Sequence, residues 1–317
     1  MQADSPVDVF ICTCLEWMQT LGIDYTALQA LAFAKANGVD FTRTVLLGHQ
    51  ELHVRRREVE RTFHSFSIPV STSDIERIFK SRFADDLFRH LGAIEIDSID
   101  AASYEGASII HDMNTPIGDQ LHLSYTLVFD GGTLEHVFNF PVASANAIKM
   151  AVVGGHILSI APANNLCGHG FYQFSPELFF RVFGPPNGCQ VESLFMADTA
   201  PHRAWQRVTD PQVLRRRVNL HHFYATMIVM LAVKQTARVK IGFIPQQSDY
   251  EFGAWKDEDS MSELSRLGRA KAFARELLPV AIWSRFMTIR DLLTHTGYRD
   301  GYTPVNSEKI ANRDRDI

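Results

Sequence analysis

The sequence predicts an α/β protein built on a doubly wound, seven-stranded and mostly parallel sheet. Three observations predict it. Short apolar segments alternate with amphipathic helical segments, several of the apolar segments end at glycine or an acidic residue, and two more apolar segments follow late in the chain. Alternation of strand and helix is typical of parallel sheets, because each return to the same edge needs a crossover.

The elements of the first half follow from the spacing of apolar residues. Residues 1–42 predict a helical N-terminal extension with leucines on one face. Ser71, Thr72 or Ser73 is expected to cap the long helix that follows. The segments predict, in order, a strand at 44–47, a helix at 73–91 and strands at 93–100 and 108–111.

The second half supplies four more strands and a polar tail. The segments predict, in order, strands at 125–129, 156–160, 191–196 and 226–233, with a helix that begins near Pro141. The predicted domain spans 43–243. A helical C-terminal extension is expected over 244–317, with helices near 261–278 and 282–293 and with Tyr250 and Trp255 in either a lid or an oligomer contact.

Composition and charge limit the classes of function. The chain has 317 residues, 46% hydrophobic and 21% charged, which fits one α/β domain of about 200 to 250 residues with extensions. The formal net charge of −5 indicates no nucleic-acid partner, and the arginine runs at 55–57 and 215–217 are interpreted as solvated helix faces.

Cysteine spacing and hydropathy indicate a cytoplasmic protein with reduced thiols. Cys12, Cys14, Cys167 and Cys189 are too few and too irregularly spaced for a disulfide framework or a zinc site. The N-terminus lacks a basic segment followed by an apolar one, so no secretion signal is expected. The longest apolar segment, 224–233, is about half a membrane span and is interpreted as a buried strand.

Several segments resemble class I S-adenosylmethionine-dependent methyltransferases. Residues 130–137, Asp-Gly-Gly-Thr-Leu-Glu-His-Val, look like the segment after that family's fourth strand, and residues 154–158 look like its turn into the fifth. A narrower resemblance, to a bacterial subgroup often found beside genes for surface sugars or secondary metabolites, is carried by 104–107, 111–114 and 168–177. The resemblance covers about residues 40–235.

This resemblance implies a Rossmann-like fold and S-adenosylmethionine as the cofactor. It also implies methyl transfer to a hydroxyl or amine of a small polar acceptor, such as a sugar or a natural-product intermediate. The family assignment suggests a cytoplasmic enzyme of biosynthesis with no membrane or nucleic-acid partner. A catalytically inactive binding or assembly subunit of the same fold is the alternative.

The main departure from the family concerns its glycine-rich first loop, where backbone amides approach the methionine part of the cofactor. This chain has Gly48, His49 and Gln50 there. Either the two polar side chains supply the missing hydrogen bonds, or cofactor binding is weakened or lost. The absence of Gly-x-Gly-x-x-Gly argues against a nicotinamide dehydrogenase. Asp130 and Gly131 match positions beside the sulfonium and amino acid, although Asp130 alternatively only starts its loop.

The resemblance also assigns the residues that hold the adenosine part. Asp100, at the end of the second strand, matches the acid that accepts both ribose hydroxyls, and Asp97 is its competitor. Asp112 and Met113 match the position that holds the adenine. The alternative for Asp112 is a turn-capping role.

Glu135 and His136 match positions that often face the substrate. A histidine can take a proton from a hydroxyl or amine nucleophile. Alternatively, Glu135 caps a turn and His136 is a satisfied buried histidine.

The loop after the fifth strand is expected over the same edge of the sheet, with His169 and Tyr172 as further catalytic candidates. Its predicted polar substrate contacts are Asn164, Asn165, His169, Tyr172 and Gln173. A purely structural loop is the alternative. A metal centre of His111, Asp112, His136 and His169 lacks the usual ligand spacing, so no metal is expected.

Overall fold

The computed structural model describes residues 22–199, 204–215, 217–218, 220–221, 224–237, 245–251, 297–298 and 301–305. The strands are β1 (Arg43–Leu47), β2 (Glu95–Asp100), β3 (Ile109–Ile110), β4 (Tyr125–Asp130), β5 (Ala151–Asn164), β6 (Cys189–Asp198), β7 (Trp205–Val208), β8 (Leu220–His221), β9 (Thr226–Lys234), β10 (Gly297–Tyr298) and β11 (Tyr302–Val305). The helices are α1 (Tyr25–Ala36), α2 (Arg56–Ser65), α3 (Thr72–Ile78), α4 (Asp85–His90), α5 (Phe140–Met150), α6 (Pro176–Val182), α7 (Pro211–Leu214) and α8 (Ser248–Glu251).

The strand order defines a doubly wound sheet. The main sheet runs β11-β7-β6-β9-β5-β4-β1-β2-β3, and β8 pairs with β10 in a separate ribbon. Strands β1 to β5 are parallel, whereas β9 is antiparallel to both β5 and β6. The chain moves outward from β1 to β3 and then returns to β4 on the other side of β1. This reversal places a crevice outside the carboxyl ends of β1 and β4, where open α/β sheets bind ligands.

The predicted Rossmann-like fold class is confirmed, with a different strand count. All seven predicted strands are present, but β7 and β11 extend the sheet beyond β6 as antiparallel edge strands. Strand β11 corrects the all-helical description of the C-terminal extension. Its Pro304 weakens the strand signal in the sequence, although an edge strand tolerates proline.

Residues 1–21 of the predicted N-terminal extension lie outside the described residues, as do the helices predicted near 261–278 and 282–293. The domain boundaries stay a prediction.

The helix predicted over 73–91 is wrong, because two helices, α3 and α4, occupy this segment. Between them the backbone bonds to the loop after β1 instead of to itself. The Leu52 amide donates to the Arg82 carbonyl at 2.7 Å, and the Ala84 amide donates to the Gln50 carbonyl at 2.9 Å. Apolar periodicity continues through the break, so the sequence pattern alone cannot show it.

Two hydrophobic cores cover the two faces of the sheet. Alternate residues of β1 divide between them, with Leu46 in one core and Val45 and Leu47 in the other. Helices α1 to α4 pack on the Leu46 face, and α5 and α6 pack on the opposite face. Because both faces are buried, the sheet is rigid, and its carboxyl edge holds the loops of the site in fixed positions.

Candidate active site

A cavity of about 330 Å³ lies outside the carboxyl ends of β1, β2, β3 and β4. It is lined by the loop after β1, the end of β2, the turn after β3 and the loop after β4. Tyr104 and Glu105, which the sequence analysis used only for the narrower resemblance and not as site residues, also line it. The cavity therefore lies at the topological switch point of the sheet.

The two candidate ribose acids, Asp97 and Asp100, lie in different surroundings. Asp97 accepts the Tyr125 hydroxyl at 2.9 Å and the Ser108 hydroxyl at 2.9 Å, so both its oxygens hold strands together. Asp100 lines the cavity. One of its oxygens accepts the Ala102 amide at 3.1 Å, which fixes the turn after β2.

Asp112 caps a turn and lines the cavity at the same time. One of its oxygens accepts the Asn114 amide at 2.9 Å and the Asn114 side chain at 2.8 Å. These bonds lower the pKa of Asp112, which keeps it ionised at neutral pH. Met113 follows as a buried apolar side chain in the wall of the cavity. An acceptor beside an apolar surface suits an adenine ring.

Gln50 occupies the gap between the loops that follow β1 and β4. Its Nε2 donates to the Leu47 carbonyl at 2.6 Å, whereas its Oε1 is buried and has no hydrogen-bond partner among the described residues. A Cβ on Gly131 would lie 2.5 Å from Oε1, so this position needs glycine. Gly48, with φ of +76°, makes the turn that brings Gln50 there.

His49 holds the outer wall of the cavity in place. Its Nδ1 lies 2.6 Å from the Glu105 carbonyl oxygen, and its Nε2 lies 3.1 Å from Asp85 Oδ2. The ring stacks on Phe83 with centroids 3.7 Å apart. Both ring nitrogens therefore bind protein atoms, which differs from the prediction that His49 contributes hydrogen bonds to a cofactor.

The Asp130 side chain belongs to the turn after β4. It accepts the amides of Thr133 at 2.9 Å and Leu134 at 3.2 Å and the Ser159 hydroxyl at 2.6 Å. Burial, together with the charge of Glu135, raises the pKa of Asp130 to about 7. These contacts match the alternative in which Asp130 starts its loop. The residues of this turn that line the cavity are Gly132 and Thr133, which the sequence analysis did not name as site residues.

Three predicted catalytic residues lie side by side, and one of them lines the cavity. His136, which is exposed, lines the cavity, whereas Glu135 is fully buried and His169 is half-buried. His169 Nε2 lies 3.2 Å from Glu135 Oε1, and the two imidazole centroids are 5.0 Å apart. Burial lowers the pKa of His136, although the charge of Glu135 acts in the opposite direction.

The other polar residues predicted to contact substrate hold their own loop. The Tyr172 hydroxyl donates to the Phe138 carbonyl at 2.7 Å, and the Leu166 amide donates to Gln173 Oε1 at 2.8 Å. Asn165 donates to the Tyr224 carbonyl at 3.1 Å, and Asn164 pairs with Thr226 at the end of β5. These bonds match the structural-loop alternative.

Two exposed aromatic side chains stand beside the histidines. Phe138 is 71% exposed, Phe171 is 67% exposed, and their rings meet edge to face with centroids 5.8 Å apart. Two exposed rings in contact form a small apolar patch, and such patches often mark binding sites. The sequence signal available to find them was their spacing, since Phe138 and Phe171 each lie two residues after a candidate histidine.

The strand order and the cavity thus define a Rossmann-like α/β protein with a ligand site at the switch point of its sheet. No family model matches the chain, and no curated protein matches it. Similar solved structures are found, among them several titled as methyltransferases.

One similar structure is the 1,6-didemethyltoxoflavin-N1-methyltransferase of Burkholderia thailandensis with 1,6-didemethyltoxoflavin and S-adenosylhomocysteine bound. The identity is 13% and the TM-score 0.36, over 66% of this chain and 79% of that one. A 16S rRNA (adenine(1408)-N(1))-methyltransferase of Catenulisporales acidiphilia matches at 11% identity and a TM-score of 0.34, over 68% and 93% of the two chains. The YcgJ protein of Bacillus subtilis matches at 8% identity and a TM-score of 0.35, over 65% of this chain and 98% of that one.

Across the described ranges, helices are all too short or too polar to span a bilayer.

Proposed function

We propose that this protein binds S-adenosylmethionine in the cavity and catalyses transfer of its methyl group to a hydroxyl or amine of a small polar acceptor. The observation that carries the proposal is the order of the side chains across the sheet edge. Asp112 and Met113 follow β3, Asp100 ends β2, and Gln50 lies between β1 and β4. Adenine, ribose and methionine follow one another in the same order along the extended cofactor.

Each of these side chains fits the part of the cofactor that it meets. The two oxygens of a carboxylate accept both ribose hydroxyls at Asp100. The buried Gln50 Oε1 is an acceptor that fits the ammonium group of the methionine part, and burial of such an oxygen without a donor is costly. Gln50 Oε1 accepts a hydrogen bond, whereas the backbone amides of the family's loop donate them, so the altered first loop would bind the ammonium group of the methionine part instead of repeating the usual amide bonds.

The bound cofactor supplies a methyl group on a positively charged sulfur. Methyl transfer is an in-line displacement, so alignment of the nucleophile with the methyl group is the main requirement. His136 lines the end of the cavity next to the loop after β4, where its imidazole can take the proton of the nucleophile. Phe138 and Phe171 offer an apolar surface for the ring of a sugar or of a natural-product intermediate.

Calorimetric titration with S-adenosylmethionine and S-adenosylhomocysteine tests the proposal, with NAD as the control ligand. We expect micromolar binding of the first two. Asp100→Ala should weaken this binding at least about tenfold. Asp119→Ala, which removes a fully exposed carboxylate from the opposite end of the sheet strands, is the matched control and should leave the affinity unchanged.

Well-folded protein that binds neither ligand would overturn the enzyme proposal. That result favours the alternative, a binding or assembly subunit that keeps the fold without the chemistry. An Asp100→Ala variant that binds normally would instead place the ribose elsewhere.

A further inference from the structure

A compact set of metal-ligating atoms stands where no metal was expected from the sequence. One ligand atom from each of Glu135, His136 and His169 lies within 4.8 Å of the other two. His169 Nε2 and Glu135 Oε1 are 3.2 Å apart. Two ligands of a tetrahedral zinc ion are separated by about 3.4 Å, given bond lengths of about 2.0 to 2.2 Å.

The buried state of Glu135 is an independent indication of a bound cation. Its side chain is 0% exposed, and its Oε2 finds no hydrogen-bond partner within the described part of the chain. A buried carboxylate oxygen without a partner is strongly unfavourable. A divalent cation that binds this oxygen would remove the penalty.

The backbone holds the three ligands close together before any ion binds. Glu135 and His136 are neighbours in a single turn of 3-10 helix at Leu134–His136. The Phe171 amide donates to the Glu135 carbonyl at 2.8 Å, which fixes the loop that carries His169. Gly170 has φ of +74°, and a Cβ there would lie 2.9 Å from Glu135 Cγ, so glycine permits this close approach.

We propose that Glu135, His136 and His169 form a zinc-binding site with an open position that faces the cavity. Two imidazoles and one carboxylate are a donor set of catalytic zinc sites, which keep a fourth position for water or substrate. His136 lines the cavity and Glu135 is buried behind it, so the open position lies on the acceptor side.

The site gives the proposed methyl transfer a preference for oxygen acceptors, and this consequence alone rests on the proposed function. A hydroxyl bound to zinc loses its proton more readily, because the ion stabilises the alkoxide. With zinc bound, His136 is a ligand and does not act as the base, so the proton leaves to water. The new oxygen–carbon bond forms as the sulfur–carbon bond breaks, and the products are a methyl ether and S-adenosylhomocysteine. No oxidant or reductant is needed.

The test is titration of chelator-treated full-length protein with zinc chloride, followed by metal analysis after dialysis. We expect the wild type to bind one zinc ion per chain. His169→Ala and Glu135→Gln should lower the affinity for zinc at least about 100-fold, because even substitutions of residues that only support the ligands lower metal affinity about 10- to 100-fold. His136→Ala removes the exposed ligand with little effect on packing and should weaken binding similarly. His122→Ala, whose histidine lies 3.5 Å from a single carboxylate, is the control.

If the wild type binds no zinc, the proposed site is wrong. It is also wrong if the three ligand variants bind zinc as tightly as the wild type, since the ion then binds elsewhere. Circular dichroism checks that each variant is folded. Calorimetry with S-adenosylhomocysteine in the presence of chelator separates the two proposals. Cofactor binding without zinc binding leaves the methyltransferase proposal intact, and zinc binding without cofactor binding leaves the metal site intact.

Discussion

At the scale of single residues, the two ends of the Gln50 amide differ in their surroundings, since one end is bonded to the protein and the other is not. Its Nε2 donates to the Leu47 carbonyl, and its Oε1 is buried and has no hydrogen-bond partner among the described residues. The same carbonyl also accepts the Thr133 hydroxyl at 2.7 Å. If the Gln50 side chain is removed, the Leu47 carbonyl therefore still accepts the Thr133 hydroxyl. An effect of Gln50 on ligand binding can thus be measured separately from an effect on stability.

Gln50→Met should weaken the binding of S-adenosylmethionine and S-adenosylhomocysteine by about 10- to 150-fold. This range corresponds to one lost hydrogen bond to a charged group, worth about 1.5 to 3 kcal/mol. The melting temperature of the ligand-free protein should not fall, because methionine fills the same volume without a buried unpaired oxygen. Calorimetry and thermal unfolding measure the two effects. Unchanged affinity would remove Gln50 from the cofactor site.

At the scale of elements, helix α3 begins with reciprocal capping by Ser71 and Asp74. The Asp74 amide donates to the Ser71 hydroxyl at 3.2 Å, and the Ser71 amide donates to the Asp74 carboxylate at 2.9 Å. The Ser71 hydroxyl and then its amide lower the pKa of Asp74 to about 2. The cap matters for the site, because α3 ends just before the break that contacts the loop after β1.

Asp74→Asn should lower the melting temperature at neutral pH but not in strong acid. A carboxyl whose pKa is lower in the folded protein stabilises the fold above its ordinary pKa of 3.8, and this contribution is lost as the pH falls to about 2. The difference in melting temperature between wild type and variant should therefore be present at pH 7 and shrink between about pH 4 and pH 2. A pH-independent difference would contradict the assignment, and Asp119→Asn serves as the exposed control.

A lysine from strand β9 binds carbonyl groups at the end of helix α5. Lys234, in β9, is 1% exposed, and its Nζ donates to the carbonyls of Ile148 at 2.8 Å and Ala151 at 2.9 Å. The last carbonyls of a helix have no partner within the helix, and cations stabilise this end. The bonds therefore connect α5 to the antiparallel strand beside β5.

Lys234→Met should lower the free energy of unfolding by about 1 to 3 kcal/mol, because it leaves buried carbonyls without a donor. Urea unfolding measures the loss. Lys80→Met, at an exposed position, should have a much smaller effect. Equal effects of the two substitutions would show that the bonds to α5 contribute nothing specific.

The sequence predicts elements better than contacts between elements. All seven predicted strands are present because buried strands of a parallel sheet are short apolar runs that end at turn residues. The break between α3 and α4 depends on hydrogen bonds to a loop about 30 residues earlier in the chain, which no local pattern contains. The sequence placed Asp100 ahead of Asp97 by its position at the end of the strand, but it could not show that both oxygens of Asp97 bind Tyr125 and Ser108.

The candidate site was predictable in outline because strand ends meet at one edge of the sheet. Asp100, Asp112, Met113 and Gln50 all line the cavity, as the resemblance implies. The proposed metal site of Glu135, His136 and His169 was not predicted, because these side chains come from a 3-10 turn and from a loop 34 residues away in sequence. Ligand spacing reveals metal sites only when the ligands share one element.

At the scale of the whole molecule, the site and the far edge of the sheet are structurally distant. In the order β11-β7-β6-β9-β5-β4-β1, three strands separate β7 from β4. With about 4.8 Å between neighbouring strands, β7 lies about 19 Å from the loops of the cavity. Trp205 of β7 is 3% exposed and packs on Phe195 with ring centroids 5.6 Å apart.

Trp205→Ala should therefore reduce stability without changing the site. Loss of a buried tryptophan costs about 3 to 5 kcal/mol, and the milder Trp205→Phe keeps the protein folded if the alanine variant is too unstable. The affinity for S-adenosylhomocysteine should stay within about twofold of wild type, and the effects on stability of Trp205→Phe and Gln50→Met should add, because sites more than about 10 Å apart are independent. Coupling above about 0.5 kcal/mol in the double variant would mean that the edge strands help to set the geometry of the cavity.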